Sequence, residues 1–362
     1  MKITAVETIQ LPAHPRHLWV MVHTDEGITG IGEATDKVEL TKTAVHNFCA
    51  EIILGENPLN NEKLWAMMYD SANYTGYMGA EMRAMGAIDM ALWDIKGKAL
   101  NMPICKLLGG VQRDKVRAYG STLMPYTPQE AAEEALRWKE QGFSAVKMGW
   151  GGFELPQSEC VKLVEATRNA IGDDMDMMLD IGFIPSGDFN VTAASRLLLI
   201  NEIREFKPYW IEEAVYPDDY EGYKMLVEST DVRIAGGENE TTRYGFKQLI
   251  EVCKLDILQP DITRCGGLTE AKRIGAMATA HNTTVIPHAW SSGIVIAASL
   301  HFIATQSNSN LLEYCVWDTP IRKEMLKQDF KLRDGYVDVP MGPGLGIEID
   351  DEAIQKYRCD II

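Results

Sequence analysis

Asp180, Glu212 and Glu238 close three successive apolar, strand-like runs, MDMMLD, YWIEE and RIAGGE. Carboxylates at the ends of consecutive parallel strands gather at one mouth of a barrel, where three hard oxygen donors suit a divalent cation. A cation held there steadies negative charge as it develops on a bound substrate. Taken singly, each acid is more often a helix N-cap or a surface ion-pair partner. Brought together without a counter-charge, the three raise one another's pKa, so their convergence implies a metal. All-oxygen ligation with open positions fits Mg²⁺, with Mn²⁺ as a substitute. Glu213 adjoins Glu212 and Glu240 lies two residues past Glu238, and periodicity alone does not decide which of these acids faces inward.

Other strand ends carry polar groups as well: Lys147, Asp261, His288 and Glu313. A lone histidine such as His288 is more often a satisfied core residue, but Asp261 on the neighbouring strand changes its meaning. A carboxylate bonded to one imidazole nitrogen fixes the tautomer and leaves the other nitrogen free to take a proton, which describes a general base. Lys147, flanked by Val146 and Met148, is either a snorkelling lysine or an inward cation suited to a substrate carboxylate. Trp150 and Trp290, just past strand ends, read first as rim packing. The run Gly149-Trp150-Gly151-Gly152 is no phosphate loop, because no Lys-Ser or Lys-Thr opens a helix after it. His14 and His17 sit in a loop between early strands, within reach of a substrate; His23, His46, His281 and His301 read as structural or surface residues.

These groups need a scaffold. A chain of 362 residues exceeds what one core usually supports, so two domains or a large α/β barrel with additions is expected. Residues 1–114 read as α+β, with strands at 2–10, 18–24 and 28–34 and a helix whose Met82, Met85, Ile88, Leu92 and Ile95 define one packed face. From 115 to 330, short apolar runs alternate with amphipathic helices, the signature of βα units around a parallel sheet. Eight strands are expected, at 116–120, 145–149, 175–180, 209–213, 233–238, 255–261, 284–288 and 311–315. Thr127-Pro128-Gln129-Glu130 signs a helix start as a capping box with proline at its first position. The Gly- and Pro-punctuated tail, 331–362, is expected to return to the N-terminal domain instead of extending the barrel. Net charge is −17 with no basic run, which argues against nucleic-acid or membrane partners and for a small-molecule substrate. Seven scattered cysteines without a CxxC pair, and an N-terminus without an apolar signal region, fit a soluble protein of a reducing cytoplasm.

With these residues placed, the chain resembles the enolase superfamily, mandelate racemase subgroup, over nearly its whole length. The resemblance rests on MALWDIKGKALNMPICKLLGG, WIEEA, AGGE, LDILQPD with CGGLTEAKRI, VIPHAW and GPGLGIEI. It implies a (β/α)₇β modified TIM barrel with an α+β capping domain built from N- and C-terminal segments. It also implies Asp180, Glu212 and Glu238 as Mg²⁺ ligands, His288 with Asp261 as the acid/base dyad, Glu313 near the developing enolate and Lys147 near the carboxylate. A Lys or His base working beside Mg²⁺ on an enediolate is a property of the superfamily. Departures narrow the chemistry. The second base of racemases, in a Lys-x-Lys motif, is replaced here by Gly149, and the histidine that some sugar-acid dehydratases place after the first metal ligand is replaced by Gly182. The single-histidine pattern, with PDDYEGY downstream, looks most like L-rhamnonate dehydratases and their relatives. A sugar-acid dehydratase is therefore expected, with epimerase, racemase or cycloisomerase chemistry or a non-catalytic binding role as the rivals. Distal hydroxyls are expected to meet Arg16, His17, Tyr74, Tyr77, Trp150 and Tyr314, and relatives suggest a homo-oligomer.

Overall fold

The computed structural model describes residues 1–10, 14–182, 191–317, 321 and 324–357. Three antiparallel strands open the chain, β1 (Ile3–Gln10), β2 (His17–Thr24) and β3 (Thr29–Thr35), in the order β1-β2-β3. They lie on the Ala80–Ala99 helix so closely that a Cβ on Gly30 or Gly32 would sit 2.0 or 1.9 Å from the carbonyl oxygens of Ala91 and Ala87. The single apolar face expected of that helix is an underestimate. Besides Met82, Met85, Ile88, Leu92 and Ile95, it buries Ala84, Ala87, Ala91, Trp93 and even Asp89 and Asp94, as a helix covered on all sides must. Its acids are satisfied from three directions: Asp89 by the Thr269 backbone and hydroxyl (2.8 and 2.6 Å), Asp94 by Ile31 N (3.1 Å) and Leu345 N (2.9 Å). One helix thus fastens the first sheet, the second half of the chain and the tail.

Eight parallel strands follow: β4 (Lys115–Leu123), β5 (Ala145–Gly149), β6 (Asp176–Asp180), β7 (Trp210–Glu212), β8 (Ile234–Gly236), β9 (Ile257–Leu258), β10 (Thr284–Val285) and β11 (Leu311–Cys315). Their order, β10-β9-β8-β7-β6-β5-β4-β11, is that of a β/α barrel. β9 and β10 are shorter than expected because Pro260 and Pro287 bring no amide hydrogen to the ladder. β12 (Tyr336–Asp338) pairs antiparallel with Lys115–Arg117, so this leg of the tail does extend the barrel sheet. Only the next leg reaches the N-terminal helix, through Leu345 N and Asp94. At the helix Pro128–Glu140, Thr127 Oγ1 accepts from Glu130 N (3.3 Å), but the Glu130 carboxylate takes the Thr127 hydroxyl, so the expected reciprocal capping box is half formed. Among the described residues, no helix is long and apolar enough to cross a membrane.

The barrel interior explains how the site is placed. Tyr119, Ala145, Met178, Trp210, Ala235, Ile257, Ile286 and Leu311, one from each strand or its continuation, pack as one apolar plug. Side chains alternate along a strand, so the residues two further on share that interior. They are Ser121, Lys147, Asp180, Glu212, Gly237, Gln259, His288 and Glu313. A polar layer therefore sits directly on an apolar one.

His301, buried in the Gly293–Thr305 helix, ties the tail down: one ring nitrogen bonds Leu345 O (3.0 Å) and the other accepts from Cys105 N (3.3 Å). Burial holds its pKa down at about 4 from the ordinary 6.5. The unfolded chain thus binds the extra proton first. Stability from this residue is full above pH 6.5 and drains away as pH falls toward 4, by about 3 kcal/mol. Denaturant melts of wild type and His301→Gln between pH 4 and 7 check this: the variant should lose that part of the pH slope.

Candidate active site

Register sets the site. Gly149 lies beside Asp180 and Asp180 beside Glu212 in neighbouring strands, while Glu238 stands in the loop past β8. Asp180, Glu212 and Glu238 each offer a carboxylate oxygen, all within 4.8 Å of one another. The parity of the plug resolves the paired acids. Glu212 follows Trp210 inward, whereas Glu213 takes a left-handed φ of 49° and turns aside to accept from Gly237 N (2.9 Å). Glu240 also points away, to Thr241 N and the Tyr220 hydroxyl.

Each acid is fixed before any ligand arrives. Asp180 accepts from Gly182 N (3.1 Å) and the Trp150 indole N–H (3.0 Å). Glu212 accepts from Lys147 (2.6 Å), Gln259 (2.6 Å) and Trp210 Nε1 (3.0 Å). Glu238 accepts from Arg264 (2.9 Å) and faces His288 Nε2 at 3.3 Å. Burial, with the charges of Glu212 and Glu238 beside it, pushes the Asp180 carboxyl well up. Lys147 and Arg264 are bonded to Glu212 and Glu238, but among the described residues no cation is bonded to Asp180. Three oxygens so close, with lone pairs to spare, fit a hard divalent cation.

On the other side, His288 Nδ1 meets Asp261 Oδ2 at 2.7 Å, and Asp261 Oδ1 accepts from Thr263 N and Oγ1 (2.7 and 2.6 Å). The carboxylate so anchored orients the ring and directs Nε2 toward Glu238 and, at 4.0 Å, Glu313. Burial alone would lower the His288 pKa; Glu238, Glu313 and the bond to Asp261 outweigh it and lift it to about 9. Burial would raise Glu238, yet His288 and Arg264 bring it down to about 2. Lys147 bridges Glu212 and Glu313 (2.6 and 2.8 Å), and those two charges overcome burial and keep it protonated. Glu313 is held by Ser121 Oγ (2.7 Å) and Ala289 N (2.7 Å).

These groups open into a cavity of about 570 Å³ walled by both domains. Arg16, His17 and Trp150 line it. Tyr74, Tyr77 and Tyr314 do not: Tyr74 is 96% exposed on a surface turn, Tyr77 stacks on Tyr69, and the Tyr314 hydroxyl reaches out to Phe330 O. Trp150 is more than rim packing, since its indole bonds Asp180. Gly182 makes room for that indole, for a Cβ there would lie 3.2 Å from Nε1. At Gly149 a Cβ would lie 2.5 Å from that of Asp180, so no side chain fits without displacing the acid. Sequence reasoning missed Arg264, which joins Glu238, Asp261 (3.3 Å) and Asp36 (3.4 Å) from a loop, and Gln259, which the two-residue spacing from Ile257 would have found. It also missed Glu33, whose carboxylate accepts from Ser291 and Ser292 hydroxyls (2.5 and 2.7 Å) and so pins the loop after His288 to the N-terminal sheet.

Losing the indole N–H should loosen Asp180. Trp150→Phe is expected to weaken cation affinity about 10–100-fold, as removal of a ligand's supporting bond commonly does, measured by calorimetric titration with Mn²⁺.

The fold and this set of carboxylates define a barrel enzyme with a capping domain that acts on small carboxylates. The chain belongs to the mandelate racemase / muconate lactonizing enzyme family of the enolase superfamily. Residues 4–109 match the family's N-terminal domain, and residues 130–353 match the domain described as enolase C-terminal domain-like. A D-galactonate dehydratase of Cronobacter sakazakii (strain ATCC BAA-894) is 36% identical, spanning 98% of this chain and 94% of its own. A D-galactarolactone cycloisomerase of Agrobacterium fabrum (strain C58 / ATCC 33970) is 33% identical, over 94% of this chain and 91% of that protein. The crystal structure of the 3,6-anhydro-D-galactonate cycloisomerase from Zobellia galactanivorans superposes with a TM-score of 0.91 at 35% identity, covering 99% of this chain and 100% of that one. The sugars in these names are galactose-derived, where the sequence pattern pointed to rhamnonate.

Proposed function

We propose that this chain is a Mg²⁺-dependent dehydratase of a sugar acid, converting a 2,3-dihydroxy carboxylate into a 2-keto-3-deoxy acid. The observation that carries the reading is a histidine–carboxylate pair, His288 and Asp261 at 2.7 Å, beside a carboxylate cluster whose flanking positions, Gly149 and Gly182, carry no proton-transfer group. Asp180, Glu212 and Glu238 would hold the ion, which supplies positive charge facing the substrate carboxylate. Lys147 adds a fixed ammonium on the same side, kept in place by Glu313. His288 Nε2 removes the C2 proton while Asp261 keeps the ring oriented. The electron pair then expels the C3 hydroxyl, which leaves as water with the proton His288 has just gained, and the enol tautomerises to the ketone. Preorganised charge is usually the largest contribution to such a step.

A cycloisomerase is the second reading, favoured by two of the relatives above. It shares the C2 proton transfer but loses no water. A panel of aldonates, aldarates, their lactones and anhydro acids, incubated with Mg²⁺, separates the two. Release of 2-keto-3-deoxy acid from an open-chain acid, one water lighter than its substrate, supports the dehydratase. Turnover confined to lactones or anhydro acids, with a product of unchanged mass, would replace it with the isomerase.

A further inference from the structure

The cavity holds more than the reacting groups, and its remaining wall is informative about the far end of the substrate. Among the described residues that line it, every guanidinium or ammonium already faces a carboxylate. Arg16 is forked onto Asp36, with Nε and one terminal nitrogen both 2.6 Å from Oδ1. Lys147 is shared by Glu212 and Glu313, and Arg264 by Glu238, Asp261 and Asp36. Glu154, by contrast, lines the cavity as an acid bonded to the Tyr126 hydroxyl at 3.3 Å. Two imidazoles stand in the same wall, His14 and His17, with rings 6.1 Å apart. His14 Nε2 and His17 Nδ1 are buried and, among the described residues, have no hydrogen-bond partner. Buried polar atoms are nearly always satisfied, so a ligand or water is expected to complete them. Trp150, Trp290 and Trp317 add aromatic surface.

From this arrangement we infer that the site selects monocarboxylate sugar acids over dicarboxylates, with His14 and His17 reading distal hydroxyls as uncharged imidazoles. A second carboxylate would enter a wall whose described cations are already paired and whose free charge is the acid Glu154. A hydroxyl both donates and accepts, so it satisfies a neutral imidazole whichever tautomer is present. Burial favours that neutral form: it lowers His14 and, with His14 and Arg16 nearby, brings His17 down to about 4. The inference rests on the proposed dehydratase reading for the identity of the reacting end, but its test reads binding as well as turnover.

Each aldonate that binds is compared with the aldarate of the same configuration, by calorimetric Kd in Mg²⁺ and by kcat/KM for 2-keto-3-deoxy acid. The aldonate is expected to bind, and react, at least about 100-fold better, since each pairing lost or charge opposed costs a factor of ten or more. In Glu154→Gln the preference should narrow about 10-fold. His17→Phe should raise KM for the aldonate about 10–100-fold, with a smaller change in kcat. Equal or tighter binding of the aldarate, no binding of any aldonate, or an unchanged preference in Glu154→Gln would overturn the inference. Selective aldonate binding without keto-acid formation would instead overturn the dehydratase reading and leave this one standing.

Discussion

His288→Asn is expected to lower kcat by about 10²–10⁴-fold, the usual share of a positioned base, while cation and substrate binding stay within a few-fold. The separation follows from the geometry. Asp261 keeps its two contacts with Thr263 and its ion pair with Arg264 when the imidazole is gone, so no buried charge is orphaned. Glu238 likewise retains Arg264. Turnover is measured by keto-acid release, and binding by calorimetry on the same preparation. Unchanged turnover would remove His288 from the mechanism. Wild-type kcat/KM should rise with pH as His288 loses its proton. Without the ion, that pKa stands at about 9 because Glu238 and Glu313 face the ring. An ion on Glu238 draws off part of that negative charge, so the rising limb in saturating Mg²⁺ is expected below 9 and should move down as Mg²⁺ is added.

Much of this was legible before any coordinates. The eight barrel strands, the acids at their ends and the Asp261–His288 pair all follow from strand-like runs ending in polar residues, because an inward, alternating pattern leaves a residue-level trace. What was not legible depends on contacts that local sequence does not encode. The choice between Glu212 and Glu213 needs the apolar plug, since only the packing of Trp210 against Tyr119 and Met178 fixes which parity faces in. Arg264 lies in a loop after β9, and its partners come from positions as distant as Asp36. Trp150 was read as packing because nothing in Gly-Trp-Gly-Gly foretells a left-handed φ of 54° that brings the indole to Asp180. Tyr74, Tyr77 and Tyr314 differ in the other direction: an aromatic in a capping loop or at a strand end is a reasonable sugar contact, but in this structure none of the three lines the cavity, Tyr74 being exposed, Tyr77 stacked on Tyr69 and the Tyr314 hydroxyl bonded to Phe330 O.

The same parity places Lys147 between two buried acids. Its ammonium lies between two fully buried carboxylates, Glu212 at 2.6 Å and Glu313 at 2.8 Å, above the ring of Tyr119 at 5.9 Å. Lys147→Met is expected to cost about 3–5 kcal/mol of stability, because breaking a buried pair leaves an uncompensated charge. Activity should fall by about 10²–10³-fold as well, the scale on which a fixed donor to a developing oxyanion acts. The two losses have different origins and can be separated. Adding Glu313→Gln to Lys147→Met removes one stranded charge; the amide oxygen can still accept from Ala289 N while the amide NH₂ turns to the Ser121 hydroxyl as donor, so much of the stability should return in urea melts. Turnover should not return, because the ammonium facing the substrate is still missing. Recovery of both together would mean that Lys147 only holds the barrel mouth together, and the proton-transfer chemistry would then rest on His288, Asp261 and the carboxylate cluster alone.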